Sequence, residues 1–279
     1  MLTSVINRFL RHYQRLGAEI LPGAPLLDPA IPQNFVMSAG LAHFDGSPHN
    51  QKPNGKGYMC ALCQNCFRYF DMQSVGGNIY HLSLFKMLGA FEFGCINRHI
   101  AILRLWELLI NNYGIDASRI WATYFGGGKI NGRKLPPDED ARSAWMKVGI
   151  EREKVIGMDA NHSFWKQGSS TVGQTRASKC GEHTEVFYDL GEDLKCSEKC
   201  KPGCTCGRFV ELGGILFISY HMGDLPSILE PLPLPFTETV IGVERLAMLL
   251  QGVSSIFETN NLGDLVNLVA SHTEDTNDE

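Results

Sequence analysis

Between Thr237 and Leu250 the chain runs TETVIGVERLAMLL. A Pro-rich segment, Glu230-Pro-Leu-Pro-Leu-Pro-Phe236, leads into it and must be extended, because proline cannot enter a helix interior. After Gly242 the apolar residues Val243, Leu246, Ala247, Leu249 and Leu250 repeat at near-helical spacing. An extended run therefore passes into an amphipathic helix, with Glu244 and Arg245 just inside it. Such a helix can present its arginine to a cleft. A guanidinium offers forked donors that match phosphate oxygens, and a helix N-terminus favours anions. A lone Glu-Arg pair is more often a surface ion pair, so the remaining segments decide how this one is read.

The chain has 279 residues, enough for one large domain with a substantial core. At 44% hydrophobic and 20% charged residues it has an ordinary globular composition. No apolar run approaches the length that spans a bilayer, so no membrane segment is expected. Arg8, Arg11 and Arg15 interrupt the N-terminal apolar stretch and exclude a secretory signal there, which points to the cytoplasm. A net charge of −5 gives no overall basic footprint for DNA, although a local patch can still bind RNA. Nine cysteines in such a chain suggest metal ligands or free thiols before disulfides.

In chain order, residues 4–17 predict a helix, and the Pro-rich residues 18–35 extended or turn structure. Residues 35–44 are read as a strand followed by a turn at Ala39-Gly40. Residues 58–94 are read as strand, loop, strand. Arg68 ends the first strand, and His81 and Phe85, four apart, share one side of the second. Residues 98–113 predict a helix whose buried face is Leu103, Trp106, Leu109 and Ile110. A strand is expected at 120–125, a helix at 136–149 and a short strand at 154–158. The segment between Gly168 and Glu182 is expected to be a mobile loop. In 182–189, Glu185 and Asp189 fall on one face of a strand, and two carboxylates near phosphate-binding arginines suit Mg2+. A solvated strand face fits that spacing equally well. Cys196, Cys200, Cys204 and Cys206 place four thiols in eleven residues around the Pro202-Gly203 turn, which fits tetrahedral zinc. Redox thiols, or a site shared with Cys180, His183 or the Cys60, Cys63 and Cys66 group, are the alternatives. Residues 208–220 read as a buried strand, and 266–279 as an acidic disordered tail.

Nine segments in order carry a resemblance: MSAGLAHF (37–44), QNCFRYFDMQSVG (64–76), HLSLFKMLGAFEFG (81–94), LWELLINNYGI (105–115), TYFGG (123–127), ARSAWMKVGI (141–150), SFWKQG (163–168), HTEVFYD (183–189) and TETVIGVERL (237–246). Together they resemble the catalytic core of alanyl-tRNA synthetase, a class II aminoacyl-tRNA synthetase, over about residues 5–265. The resemblance implies an α+β fold, an antiparallel sheet flanked by helices, with the Cys-rich loop as an addition. It implies one catalytic domain at 1–265, followed by the tail. It implies that an amino acid and ATP, with Mg2+, form an aminoacyl-adenylate, and that the aminoacyl group passes to tRNA. By motif match, Arg68 contacts the α-phosphate and the carboxylate, and Arg245 the ATP tail. His81 and Phe85 match the step that stacks adenine on Phe85, and Glu185 lies near the nucleotide. Leu41, Trp165, Gly214, Glu238 and Gly242 fall in the amino-acid pocket.

The departures concentrate on the amino-acid side. Glu238 stands where the family has an Asp that holds the amino group. Gly213-Gly214 replaces Trp-Asn, which should enlarge the pocket. Lys86 reverses a Glu, Gly94-Cys95-Ile96-Asn97 replaces Gly-Asp-Tyr-Phe, and a different loop, SSTVGQTRASKCG, replaces Asp-Thr-Gly-Pro-Cys-Gly. Two other readings therefore stand beside the first. One is a stand-alone, diverged adenylating ligase using another amino acid or a non-tRNA acceptor such as a carrier protein. The other is a catalytically inactive nucleotide-binding paralogue.

Overall fold

The computed structural model describes residues 1–27, 36–44, 57–167, 178–222 and 229–273. The strands are β1 (Glu19–Ile20), β2 (Met59–Phe67), β3 (Leu84–Phe93), β4 (Ile120–Phe125), β5 (Gly128–Ile130), β6 (Arg133–Leu135), β7 (Val155–Met158), β8 (Phe164–Lys166), β9 (Ser178–Asp189), β10 (Phe209–Met222) and β11 (Leu229–Gly242). The helices are α1 (Leu2–Arg15), α2 (Arg98–Glu107), α3 (Glu139–Lys147), α4 (Ala160–Ser163), α5 (Val243–Gln251) and α6 (Gly263–Ala270).

One large sheet has the order β1-β2-β3-β11-β10-β9-β4-β7, with β8 paired to β9. Its centre is antiparallel; only β1–β2 and β4–β7 pair in parallel. The prolines of β11 lie where that strand has a partner on one side only, since β3 joins it from Phe236 onward.

The two sheet faces are covered differently. Phe9 and Tyr13 of α1, Ile102 and Leu105 of α2, Trp145 of α3 and Leu246 and Met248 of α5 pack on Leu88, Val186, Val210, Ile215, Phe217 and Ile241. Trp145 also donates its indole N–H to Thr184 Oγ1 at 2.7 Å, which pins α3 to β9. The opposite face carries Leu41, Phe44, Leu62, Phe91, Phe93, Leu216 and Phe236. This second face is left open at its centre, and there the cavity lies.

Several expectations need correction. Gly40–Phe44 is a 3-10 turn, and no strand is described between 36 and 44. The buried side of α2 is Ala101, Ile102 and Leu105, continued by Leu108 and Leu109, while Leu103 is 45% exposed. Apolar residues occupy more than one side of the segment, so its phase comes from packing and from the Arg104–Glu92 ion pair at 2.6 Å. Residues 266–273, expected in the disordered tail, are helix and turn, and the boundary at 265 falls inside α6. The expected loop at 168–177 and the end of the tail, 274–279, lie outside the described residues.

Candidate functional site

Strand alternation on the open face builds the site row by row. In one row His183 of β9 lies opposite Leu216, which pairs with Glu238, which pairs with Phe91. In the next row Glu185 lies opposite Gly214, then Val240, then Gly89. Two glycines in that second row lower the floor into a trough. The result is a cavity of about 350 Å3 lined by Leu41, Arg68, His81, Phe85, Trp165, His183, Glu185, Glu211, Gly214, Glu238, Gly242, Glu244 and Arg245, among others.

Each arginine is held by backbone oxygens. Arg68 follows β2, donates from Nε to the Ser38 carbonyl at 3.0 Å, and lies 5.0 Å over the Phe85 ring. Arg245 occupies the first turn of α5, as its motif predicts, with Gly242 as N-cap. Its Nη1 donates to Glu211 Oε2 at 2.9 Å and to the Glu211 carbonyl at 3.3 Å, and its Nε donates to the Tyr80 carbonyl. Glu244, next to it, also lines the cavity, and both its carboxylate oxygens accept the Lys86 N–H at 3.1 Å. Burial holds its pKa above the ordinary glutamate value.

His81 reaches the cavity by a different route from the one expected. β3 begins at Leu84, so His81 is not on the strand with Phe85. The Asn78 side chain accepts the N–H groups of Tyr80 and His81 at 3.1 and 2.9 Å, and this Asx turn delivers the imidazole to the cavity. Burial, then the charge of Arg245, lowers the His81 pKa. Among the described residues, the buried Nδ1 atoms of His81 and His183 have no hydrogen-bond partner. A cavity with two orphaned imidazole nitrogens suits a polar ligand.

The expected pair Glu185 and Asp189 does not assemble. Asp189 accepts Arg208 Nε and Nη2 at 2.8 and 2.6 Å and is absent from the cavity lining. Glu211 takes its place. Burial raises the Glu185 pKa, and Glu211 raises it further. Two carboxylates crowded beside Arg245 are a donor set for a hard divalent cation. Sequence reading missed Glu211, although it is the lone acid in the strand RFVELGGILFISY. The bulge between Glu211 and Gly213 turns its carboxylate inward. His183 was likewise not foreseen as a cavity residue.

The two adjacent glycines do not simply enlarge the pocket. A Cβ on Gly213 would lie 2.1 Å from the Val240 carbonyl oxygen, so its missing side chain points at the neighbouring strand. A Cβ on Gly214 would lie 2.9 Å from the Thr184 oxygen. Close strand approach requires both glycines.

The family model "tRNA synthetases class II (A)" matches residues 4–279. The chain belongs to the class II tRNA synthetases. Alanine–tRNA ligase of Alkaliphilus oremlandii is 30% identical over 278 residues, covering 98% of this chain and 29% of that protein. The alanine–tRNA ligase of Desulforamulus reducens is 30% identical over 281 residues, with 97% and 29% covered. This chain therefore spans under a third of the length of these curated relatives. Among solved structures, apo histidyl-tRNA synthetase of S. aureus is similar with a TM-score of 0.49 at 12% identity, over 90% of this chain and 66% of that one.

This class II domain also carries the thiol cluster, in the β9–β10 connection. The ligand atoms of Cys196, Cys200 and Cys204 lie within 4.8 Å of one another, and Cys206 Sγ is 3.6 Å from Cys200 Sγ. Zinc–sulfur bonds of about 2.3 Å in a tetrahedron set the sulfurs about 3.8 Å apart, and the Cys196, Cys200 and Cys204 triad is close enough to hold such an ion. Cys180 is buried in a different cluster, with Phe125 and Phe164, and does not share this site. Cys200, Cys204 and Cys206 pack with Phe187, Phe209 and Trp121, which anchors the loop to the strands carrying Glu185 and Glu211. Among the described residues, no helix is long and apolar enough to cross a membrane.

Proposed function

We propose that this chain activates an amino acid with ATP, forming an aminoacyl-adenylate and pyrophosphate, and passes the aminoacyl group to tRNA. The observation that carries this reading is the convergence of Arg68, Phe85, Glu185 and Arg245, from four separate segments, on one cavity. Phe85 offers a face for adenine. Arg68, whose guanidinium lies over the Phe85 ring, neutralises the α-phosphate and the attacking carboxylate. Arg245 holds the far end of the triphosphate, as its helix-terminal position favours. His81 lines the same cavity, has its pKa lowered by burial and then by Arg245, and offers a nitrogen to a phosphate oxygen or a ribose hydroxyl. No side chain acts as a nucleophile; catalysis is placement and charge neutralisation.

Glu185 and Glu211 would hold Mg2+, which supplies further charge neutralisation at the phosphates. At the other end of the cavity Leu41, Trp165, Leu216 and Val240 enclose an apolar space, with the buried Glu238 carboxylate facing it. That end fits a small side chain and a cationic amino group, and alanine is the first substrate to test. The four thiols would bind zinc and tie the ends of β9 and β10 together. Nine unpaired cysteines support a reducing, cytoplasmic setting.

The test is ATP–pyrophosphate exchange with each of the twenty amino acids, followed by charging of a tRNA transcript. Exchange with alanine and charging are the expected results. ATP binding without exchange for any amino acid would leave only a nucleotide-binding protein.

A further inference from the structure

The guanidinium carbon of Arg245 lies 5.1 Å over the centroid of the Tyr80 ring, and both residues line the cavity. That separation is within cation–π range. Tyr80 also accepts the Arg245 Nε–H on its carbonyl, at 3.4 Å. This bond and the one from Nη1 to the Glu211 carbonyl, at 3.3 Å, are both long, so they hold the guanidinium plane weakly. The short contact, Nη1 to Glu211 Oε2 at 2.9 Å, fixes one edge. The ring face then fixes the plane. Among the described residues, Nη2 makes no hydrogen bond or ion pair, which leaves that edge for a ligand.

Tyr80 is itself held in place. Asn78 Oδ1 accepts its N–H at 3.1 Å. The carbonyl of the adjacent Ile79 accepts the Ile256 N–H at 3.0 Å and the Ser255 hydroxyl at 3.3 Å. Ser255 and Ile256 follow α5, whose first turn carries Arg245. The turn that bears Tyr80 is therefore tied to both ends of the helix that bears the arginine.

We infer that Tyr80 is a positioning residue: its ring sets the plane of the Arg245 guanidinium so that the Nη2 edge meets phosphate oxygens of the nucleotide. The inference rests on the reading of the cavity as an ATP site. An uncharged support suits the task. Glu211 offsets part of the arginine's charge, so as a partner it competes with phosphate. An aromatic face attracts the cation through its quadrupole and carries no net charge, so it holds the guanidinium without competing. A guanidinium fixed before binding also loses less conformational freedom when phosphate arrives.

The test measures binding of ATP and of inorganic pyrophosphate to the full chain by calorimetry, with ATP–pyrophosphate exchange alongside, for wild type, Tyr80→Leu and Tyr80→Phe. Tyr80→Leu should weaken ATP binding roughly five- to thirtyfold, the scale of a partly desolvated cation–π contact. The KM for ATP in exchange should rise by a similar factor, while the KM for the amino acid stays as in wild type. Tyr80→Phe keeps the ring face and should recover most of the lost affinity. Tyr80→Met serves as the ringless variant if the leucine variant does not fold. Equal ATP affinity in wild type and the ringless variant overturns the proposal. So does a loss that Tyr80→Phe does not recover, or one spread equally over ATP and the amino acid. A wild type without exchange that still binds ATP or pyrophosphate more tightly than the ringless variant, with recovery in Tyr80→Phe, keeps the support of Arg245 and rejects adenylation. A wild type that binds neither anion overturns both.

Discussion

Arg245 Nη1 and Glu211 Oε2 meet at 2.9 Å across 34 residues of chain, one on the first turn of α5 and the other at the bulge of β10. The contact holds the guanidinium at the cavity wall before any ligand arrives. It also places the carboxylate beside Glu185, where two acids share one electrostatic environment. A single ion pair thus sets the positions of the guanidinium and of both carboxylates.

Arg245→Ala and Arg68→Ala should each reduce pyrophosphate exchange by at least about a hundredfold, the scale of a lost charge-stabilising donor. Their far-ultraviolet circular dichroism spectra should match wild type, and their melting temperatures should fall by no more than a few degrees. Normal turnover in both variants would remove the ATP-site assignment.

Glu211→Gln keeps the shape of the Arg245 contact and removes the negative charge. If Glu211 helps hold Mg2+, the Mg2+ concentration needed for half-maximal exchange should rise several-fold. Asp189→Asn, which alters a carboxylate outside the cavity, should leave that concentration unchanged. The reverse pattern would restore the pairing of Glu185 with Asp189.

Burial raises the pKa of Glu244 in the folded chain. The folded state therefore holds the Glu244 proton more tightly than the unfolded chain does. The associated stability is complete below the unfolded glutamate value of about 4.3 and is lost as pH rises through the higher folded value. Melting curves of wild type and Glu244→Gln should therefore converge at low pH, and wild type should fall relative to the variant as pH rises. A constant gap from pH ~4 to ~8 would show that Glu244 titrates normally.

Purified protein should contain about one equivalent of zinc. Cys200→Ser should lower the metal content and reduce the melting temperature by at least about 5 °C, because metal binding is coupled to folding. Four freely titrating thiols with no bound metal would rule the site out. Since the loop joins the strands that bear Glu185 and Glu211, metal loss should also weaken ATP binding.

Much of this protein was legible without a structure. The strand at 120–125 and the helix beginning at Val243 follow from local pattern alone. So does the helix capped by Asp138, because capping and hydrophobic spacing are short-range physics. The chemical identities of Arg68, Phe85, Glu185 and Arg245 were readable in the same way, as residue types within ordered motifs.

Other features were set only when the chain closed. Asp189 is held outside the cavity by Arg208, while Glu211, at a bulge in β10, lines it and meets Arg245. His81 enters the cavity through the Asn78 turn instead of strand alternation. Gly213 is glycine because Val240 passes too close for a Cβ, a distance that no spacing rule contains. The sequence by itself determined which side chains are cationic, acidic, thiol-bearing or apolar. Which of them share one cavity was decided by strand register and bulges, because a one-residue shift on a strand moves a side chain to the opposite face of the sheet.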